Sequence, residues 1–195
     1  MKICVYGASS NVIDPRYLAA GEELGALMAL RGHTLVFGAG ASGMMGAAAR
    51  GVDRGGGTLI GISPSFFNVD GILYDRCTEM IYTDTMRQRK ELMEQRADAF
   101  IMTPGGIGTF EEFFEILTLK QLGRLPKPIA VLNTLGYFDP MLAMLRHCAA
   151  GKFMQEACLE LFQVCATPEE ALRYVESSRE ETVAVEKLKY LEEDV

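Results

Sequence analysis

Short apolar runs alternate along this chain with longer segments of helical periodicity, and this alternation limits the possible folds more than any other feature. The helical spacing is found in Arg16–Leu30, Met44–Arg54, Thr85–Arg96, Phe110–Leu122 and Phe138–Ala149. The apolar runs are nearly continuous, as in strands covered on both faces; they are Ile3–Tyr6, Thr34–Phe37, Thr58–Ile62, Met80–Tyr82, Ala99–Met102, Ile129–Leu132 and Leu161–Cys165. The sequence therefore predicts an α/β, Rossmann-like doubly wound fold, with a mostly parallel sheet of about seven strands and helices on both faces.

Residues that begin and end helices agree with this division. Asp14-Pro15 combines an N-cap with a proline at the first helical position, and Thr167-Pro168 does the same for a further helix. Gly32 stands where a C-cap glycine would end the first long helix. No linker or internal repeat divides the chain, so we expect one domain over residues 1–178 and a charged, solvated tail over residues 179–195.

Composition excludes several classes of protein. The net charge of −7 and the sequence pI of about 5.0 argue against binding to a nucleic-acid polymer, while small anions remain possible ligands. The five cysteines are odd in number and form no C-x-x-C pair, so we expect reduced thiols in a cytoplasmic protein. No run of about 18 apolar residues predicts a membrane span. His33 and His147 are isolated, and no cluster has metal-ligand spacing, so we expect no metal.

Three glycine-bearing turns follow predicted strands, at the sheet edge where such folds bind ligands. They lie at 7–10, 38–46 and 104–109. The second contains the dinucleotide pattern G-x-G-x-x-G, but the next strand ends in Ser63-Pro64, without the acid that would hold a ribose. A mononucleotide pocket is therefore favoured over a nicotinamide or flavin site. The alternative is that these glycines only allow close packing of helices on the sheet.

The third turn has the composition of a phosphate cradle. Pro104–Thr109 contains three glycines and a proline between a strand and a helix. Such a turn presents backbone N–H groups and the positive end of a helix dipole to an anion, most often a phosphate. Glu112 follows within the first helical turn. A phosphate cradle beside a carboxylate indicates an enzyme that acts on a phosphorylated small molecule.

The helix that begins near Thr85 places two cations on its core-facing side. Arg89 and Lys90 follow Met86 at helical spacing. Burying an unpaired cation is costly, so each needs an anion from the protein or from a ligand; a structural salt bridge or snorkelling is the alternative. We expect Arg89 and Glu112 on opposite walls of one pocket, where burial raises the pKa of Glu112 and the arginine lowers it.

These motifs resemble those of a known family. Met86-x-x-Arg89-Lys90, followed by Pro104-Gly105-Gly106-x-Gly108-Thr109-x-x-Glu112, is similar to the LOG (LONELY GUY) family of cytokinin riboside 5′-monophosphate phosphoribohydrolases, which older descriptions often call lysine decarboxylases. The resemblance extends from the first strand to Cys165. It implies a nucleotide-binding catalytic domain that needs no cofactor and hydrolyses the N-glycosidic bond of a purine or cytokinin nucleoside 5′-monophosphate. It assigns catalysis to Arg89 and Glu112, and substrate binding to Ser9, Gly40, Lys90, Gly105, Gly106, Ile107, Gly108, Thr109, Glu111 and Thr118.

Two departures from the family bear on the substrate. Many members have histidine where this chain has Arg87, and the segment Ser65–Gly71 lacks the glutamate that contacts substrate in plant members, which leaves Asp70 as the available acid. A non-catalytic nucleotide sensor or carrier is the alternative to an enzyme. The pairing of Arg89 with Glu112 favours the enzyme, because phosphate binding alone gains nothing from a nearby carboxylate. No lysine has a recognisable Schiff-base context for a pyridoxal enzyme, and helices that are apolar on two sides favour a homodimer.

Overall fold

The computed structural model describes residues 1–178 and Leu188. In this part of the chain the strands are β1 (Lys2–Tyr6), β2 (Thr34–Phe37), β3 (Thr58–Pro64), β4 (Glu79–Thr83), β5 (Ala99–Met102), β6 (Ile129–Leu132) and β7 (Gln163–Cys165). The helices are α1 (Pro15–Leu30), α2 (Gly43–Arg54), α3 (Met86–Arg96), α4 (Ile107–Gln121), α5 (Asp139–Ala150) and α6 (Pro168–Ser177). Short 3₁₀ turns occupy Ser65–Phe67, Thr134–Gly136 and Glu156–Glu160.

The described strands form one sheet of seven strands in the order β4-β3-β2-β1-β5-β6-β7. Each pair of neighbours is parallel, so the sheet is parallel throughout and not only for the most part. The chain builds outward from β1 to β4 and then returns to the other side of β1 with β5. This reversal of strand order, between β1 and β5, opens a crevice at the carboxyl ends of the strands. The prediction of a doubly wound fold is confirmed.

Alternate residues of the strands supply two hydrophobic cores, one on each face of the sheet. Ile3 and Val5 of β1 contribute to the core beneath α1, α2 and α6, where Leu24 and Leu172 are fully buried. Cys4 and Tyr6 contribute to the opposite core, beneath α3, α4 and α5. Both faces of the sheet are therefore covered, which is why the strand sequences are apolar throughout.

The helix-end signals lie where the sequence places them. The side chain of Asp14 accepts a hydrogen bond from the backbone N–H of Arg16, and that of Thr167 accepts one from Glu170. Gly32 adopts φ +70°, a left-handed conformation that suits glycine after the end of α1. The predicted seventh strand is shorter than expected, because Leu161 and Phe162 are buried ahead of it and pairing begins at Gln163.

Most of the predicted charged tail lies outside the described residues. Leu188 is the part of it that the structure describes; this residue is buried, and its carbonyl accepts a hydrogen bond of 3.3 Å from Gln121. The five cysteines all fall within residues 1–178 and are free thiols. Among the described helices, none is both long enough and apolar enough to cross a bilayer.

Candidate active site

The crevice at the reversal of strand order holds a cavity of about 580 Å³. The three glycine turns meet there, together with the N-termini of α3 and α4 and the segment after β3. The residues lining it are Gly7, Ala8, Ser9, Gly38, Gly40, Ser42, Met45, Ser63, Phe67, Gly71, Ile72, Leu73, Met86, Arg89, Gly106, Ile107, Gly108, Thr109, Glu111 and Glu112. Residues as far apart in sequence as Gly7 and Glu112 thus line one cavity, which is large enough for a mononucleotide-sized ligand.

Arg89 and Glu112 form a buried ion pair in this cavity. The guanidinium Nη1 lies 2.9 Å from Glu112 Oε1, and Arg89 Nε donates a hydrogen bond of 3.3 Å to the carbonyl of Ile62. A Cβ on Gly38 would lie 2.0 Å from Arg89 Nη2, so the glycine gives the guanidinium its space. The two side chains therefore line one pocket, as expected, but they touch directly and do not face each other from opposite walls.

Local sequence sets the position of Arg89. Thr85 caps α3 in a capping box: its side chain accepts from the N–H of Gln88, and the Gln88 side chain accepts from the N–H of Thr85. This fixed start turns Arg89, one turn further on, towards the sheet. Met93 and Ala97 continue the same stripe into the core, where both are buried.

Two opposing influences act on the Glu112 carboxyl. Burial raises its pKa above the usual range, and the adjacent Arg89 cation counteracts part of that rise by charge and hydrogen bonding. The net direction is upward. A carboxylate with a raised pKa beside a cation, at the wall of a cavity, is typical of residues that handle protons or stabilise positive charge.

The turn before α4 has the form of an anion cradle. Gly106 is the N-cap of α4 and has no capping side chain, so the first helical N–H groups are not blocked by one. A Cβ added to Gly106 or Gly108 would meet no atom within 4 Å, which shows that their backbone faces open space. Gly105 differs, because a Cβ there would lie 2.1 Å from Thr109 Oγ1. The loop is thus packed from beneath and open towards the cavity.

A second group of charges lies beside the first, at the outer rim. Lys90 pairs with Glu111, and its Nζ lies 2.8 Å from Glu115 Oε2. Burial opposes the charged form of Lys90, but the hydrogen bonds to the two carboxylates together outweigh it, so the pKa of the lysine is raised. Arg89 and Lys90 therefore both find anions within the protein. Lys90 reaches the cavity only through Glu111, which lines it.

One apolar wall of the cavity was missed by sequence reasoning. Phe67, Ile72 and Leu73 line it from the segment after β3. The segment is held in place where Ala41 N–H donates to the Ile72 carbonyl at 2.9 Å and Tyr74 N–H donates to the Ala39 carbonyl at 2.8 Å. The sequence signal that could have indicated this wall was the concentration of large apolar residues in a segment without strand or helix periodicity.

Some predicted site positions lie outside the cavity. Thr118 is exposed two turns further along α4, and Gly105 supports the cradle from below without lining the cavity. Asp70 and Arg87 are exposed and do not line it either. Among the described residues, no three His, Cys, Asp or Glu side chains are grouped to hold a metal ion.

The fold and this site define a class of parallel α/β proteins with a glycine-lined crevice and a buried arginine–glutamate pair. A family model described as "Possible lysine decarboxylase" matches residues 45–175. The "Cytokinin riboside 5′-monophosphate phosphoribohydrolase" of Mycobacterium tuberculosis is 36% identical over 171 residues, covering 88% of this chain and 91% of that protein. LOG2 of Arabidopsis thaliana, which carries the same enzyme name, is 39% identical over 144 residues, with coverage of 74% and 68%. The chain belongs to the LOG family of phosphoribohydrolases.

Solved structures with the same fold include proteins of another kind. The molybdenum cofactor carrier protein from Chlamydomonas reinhardtii superposes with a TM-score of 0.68 at 24% identity, over 90% of this chain and 95% of that one. The molybdenum cofactor binding protein from Rippkaea orientalis gives a TM-score of 0.67 at 22% identity, over 90% and 94%. At this level of identity the likeness shows the fold alone.

Proposed function

We propose that this chain hydrolyses the N-glycosidic bond of a purine or cytokinin nucleoside 5′-monophosphate, releasing the free base and ribose 5-phosphate. The single observation that carries the proposal is the buried contact of 2.9 Å between Arg89 and Glu112 beside the open glycine cradle. The enzyme names of its relatives in Mycobacterium tuberculosis and Arabidopsis thaliana point to the same reaction.

The 5′-phosphate would dock on the backbone N–H groups of Gly106–Thr109. These groups lie at the N-terminus of α4, where the helix dipole favours an anion. Binding the phosphate there holds the ribose at a fixed distance from Glu112. The energy of a remote contact is used in this way to orient the reacting bond, so a nucleoside without phosphate should react poorly.

Glu112 would act on the anomeric carbon. As the bond between C1′ and the base nitrogen breaks, its electron pair leaves with the base and positive charge develops on the ribose. The Glu112 carboxylate stabilises that charge or takes a proton from the water that attacks C1′, and the departing base acquires a proton. Arg89 holds the carboxylate in position through their hydrogen bond.

The base would rest against the apolar wall and against Met86 of α3 beside it. Phe67, Ile72 and Met86 are 40%, 45% and 38% exposed, so a planar or prenylated base can bury apolar surface there. AMP and isopentenyladenosine monophosphate both satisfy this description. We propose these two as the substrates to compare.

A carrier without catalysis is the competing function. It would share the fold and the glycine turns with the molybdenum cofactor carriers. The ion pair disfavours it, because an acid that costs free energy to bury adds nothing to the binding of an anion. A carrier should therefore tolerate loss of the acid, whereas a hydrolase should not.

We also propose a homodimer. Ile107 begins α4 and Leu122 directly follows its last residue; they are 89% and 42% exposed, which leaves apolar surface at both ends of that helix for a second copy. Thr118 is exposed between them and does not line the cavity of its own chain. Any role of Thr118 in substrate binding consequently requires a second copy. Light scattering of the purified protein measures this directly.

The deciding experiment is an assay of base release. Purified protein is incubated separately with AMP, with isopentenyladenosine monophosphate and with adenosine, and free base is measured by chromatography. We expect base from one or both monophosphates and far less from adenosine. Tight nucleotide binding without base release would support the carrier.

A further inference from the structure

Tyr137 lies outside the cavity, yet it touches the loop that forms the phosphate cradle. It stands in the connection between β6 and α5, and its hydroxyl donates a hydrogen bond of 2.6 Å to the carbonyl oxygen of Gly105. The ring packs edge-on against Tyr17 of α1 and against Phe138, with centroid separations of 5.7 and 5.0 Å. The ring is thus held by α1 and by its own connection, both of which are distant in sequence from the loop.

This contact decides the direction of one peptide group. No cis peptide bond occurs among the described residues, so the C=O of Gly105 and the N–H of Gly106 point in opposite directions. The carbonyl turns to Tyr137, which does not line the cavity, whereas Gly106 does. The N–H of Gly106 therefore points away from Tyr137.

A neighbouring bond secures the same loop. The carbonyl of Pro104 accepts a hydrogen bond of 3.0 Å from the backbone N–H of Ala8. Two successive carbonyls of the cradle are therefore occupied, one by the turn after β1 and one by Tyr137. Of the two donors, the Tyr137 hydroxyl is the one that a substitution can remove without altering the backbone.

The turn that carries Tyr137 is strained. Leu135 has φ 55° and ψ 25°, a left-handed conformation that disfavours a residue with a side chain, and it is 53% exposed. The next residue, Gly136, has φ +71°. The Asn133 side chain stabilises the turn by accepting from the N–H of Phe138 at 2.7 Å. Strain of this kind is found where a particular geometry is retained for function.

We infer that Tyr137 is a positioning residue for the anion site: its hydroxyl holds the Gly105 carbonyl and thereby presents the Gly106 N–H to the phosphate of the substrate. As a statement about substrate it rests on the proposed function. As a statement about anion binding it can be measured without turnover.

The test compares Tyr137→Phe with Tyr17→Phe in the full chain. Each change removes one hydroxyl and keeps the ring contact between the two tyrosines, but only the first removes the bond to Gly105. Affinities for inorganic phosphate and for AMP are measured by calorimetry, together with kcat and KM for base release. Because one hydrogen bond is lost, we expect Tyr137→Phe to weaken phosphate and AMP binding by about five- to tenfold.

The kinetic pattern separates positioning from loss of structure. In Tyr137→Phe, KM for AMP should rise by a similar factor, while the melting temperature should equal that of Tyr17→Phe. Tyr17→Phe should bind phosphate with the affinity of the wild type. Unchanged phosphate and AMP affinity in Tyr137→Phe would overturn the inference, as would a wild type that binds neither. If the wild type binds AMP without releasing base, and only Tyr137→Phe weakens that binding, the positioning role stands and the hydrolase proposal fails.

Discussion

Two ion-pair groups join the same two helices one residue apart, in different surroundings. Arg89 and Glu112 line the cavity, with side chains 8% and 9% exposed. Lys90 is 13% exposed, but its partners Glu111 and Glu115 are 52% and 37% exposed. The inner pair places two desolvated charges beside an open cradle, whereas the outer group keeps its carboxylates in contact with water. The role in catalysis proposed for the inner pair and the charge balance in the outer group therefore depend on surroundings and not on residue type.

The largest expected difference between the two groups is in catalysis. Glu112→Gln keeps the shape of the side chain and removes its charge, so base release from AMP should fall by about 10³-fold while AMP still binds. Glu115→Gln makes the same change in the outer group and should retain near-normal turnover. Chromatographic rates and calorimetric affinities measure both. Near-normal turnover in Glu112→Gln would remove the role proposed for this residue.

A second difference should appear in stability. Arg89→Met leaves the Glu112 carboxylate buried without its cation, which should lower the free energy of unfolding at pH 8 by roughly 3 kcal/mol. Lys90→Met leaves carboxylates that water can solvate and should cost about 1 kcal/mol or less. Urea titrations of the two variants give the comparison. Equal losses would mean that the inner pair is no more desolvated than the outer one.

The two groups should also be coupled through charge. Burial raises the pKa of Glu112, so base release should decline on acidification at a higher pH than for an ordinary glutamate, if the carboxylate is the active form. Lys90 lowers the pKa of Glu112 and Glu111 raises it. Lys90→Met removes the positive charge that lowers the Glu112 pKa and leaves the Glu111 charge unneutralised. The Glu112 pKa should therefore rise, and the acidic limb of kcat/KM should move to higher pH by less than about one pH unit.

A matched variant gives the opposite sign. Glu111→Gln removes the negative charge that raises the Glu112 pKa, so its acidic limb should move downward. Profiles measured in low and high salt provide a further check, because salt screens the outer charges more than the buried pair. Movement of both variants in one direction would contradict this charge coupling.

The sequence was sufficient for what depends on local pattern. Alternating runs gave the parallel sheet, and the glycines at 106 and 108 gave an open turn before α4. The sequence was insufficient to predict contacts between segments that are distant along the chain. The hydroxyl of Tyr137 reaches Gly105 across 32 positions, and Phe67 joins the cavity from a segment without periodicity. The direct contact of Arg89 with Glu112 depends on how α3 and α4 pack, which residue spacing within each helix does not specify.

The smallest predicted effect concerns Glu94, a half-buried neighbour of the outer group. Burial, together with the nearby Glu115, raises its pKa from 4.5 to about 7; Lys90 and Lys127 oppose this. The folded protein therefore holds this proton more tightly than the unfolded chain does. The resulting stabilisation is complete below the unfolded value of 4.5 and is lost as pH rises through about 7.

Glu94→Gln removes this dependence, because the amide stays neutral. At pH 8 the variant should be more stable than the wild type, and near pH 4.5 the two should be alike. Since the side chain is only partly buried and solvent screens its charge, the gain at pH 8 should be at most about 1 kcal/mol. Thermal melting at the two pH values measures it, with Glu23→Gln, a change of an exposed glutamate on α1, as the control. A variant that is less stable at pH 8 would mean that Glu94 is stabilised as an anion, like Glu111 and Glu115 beside Lys90.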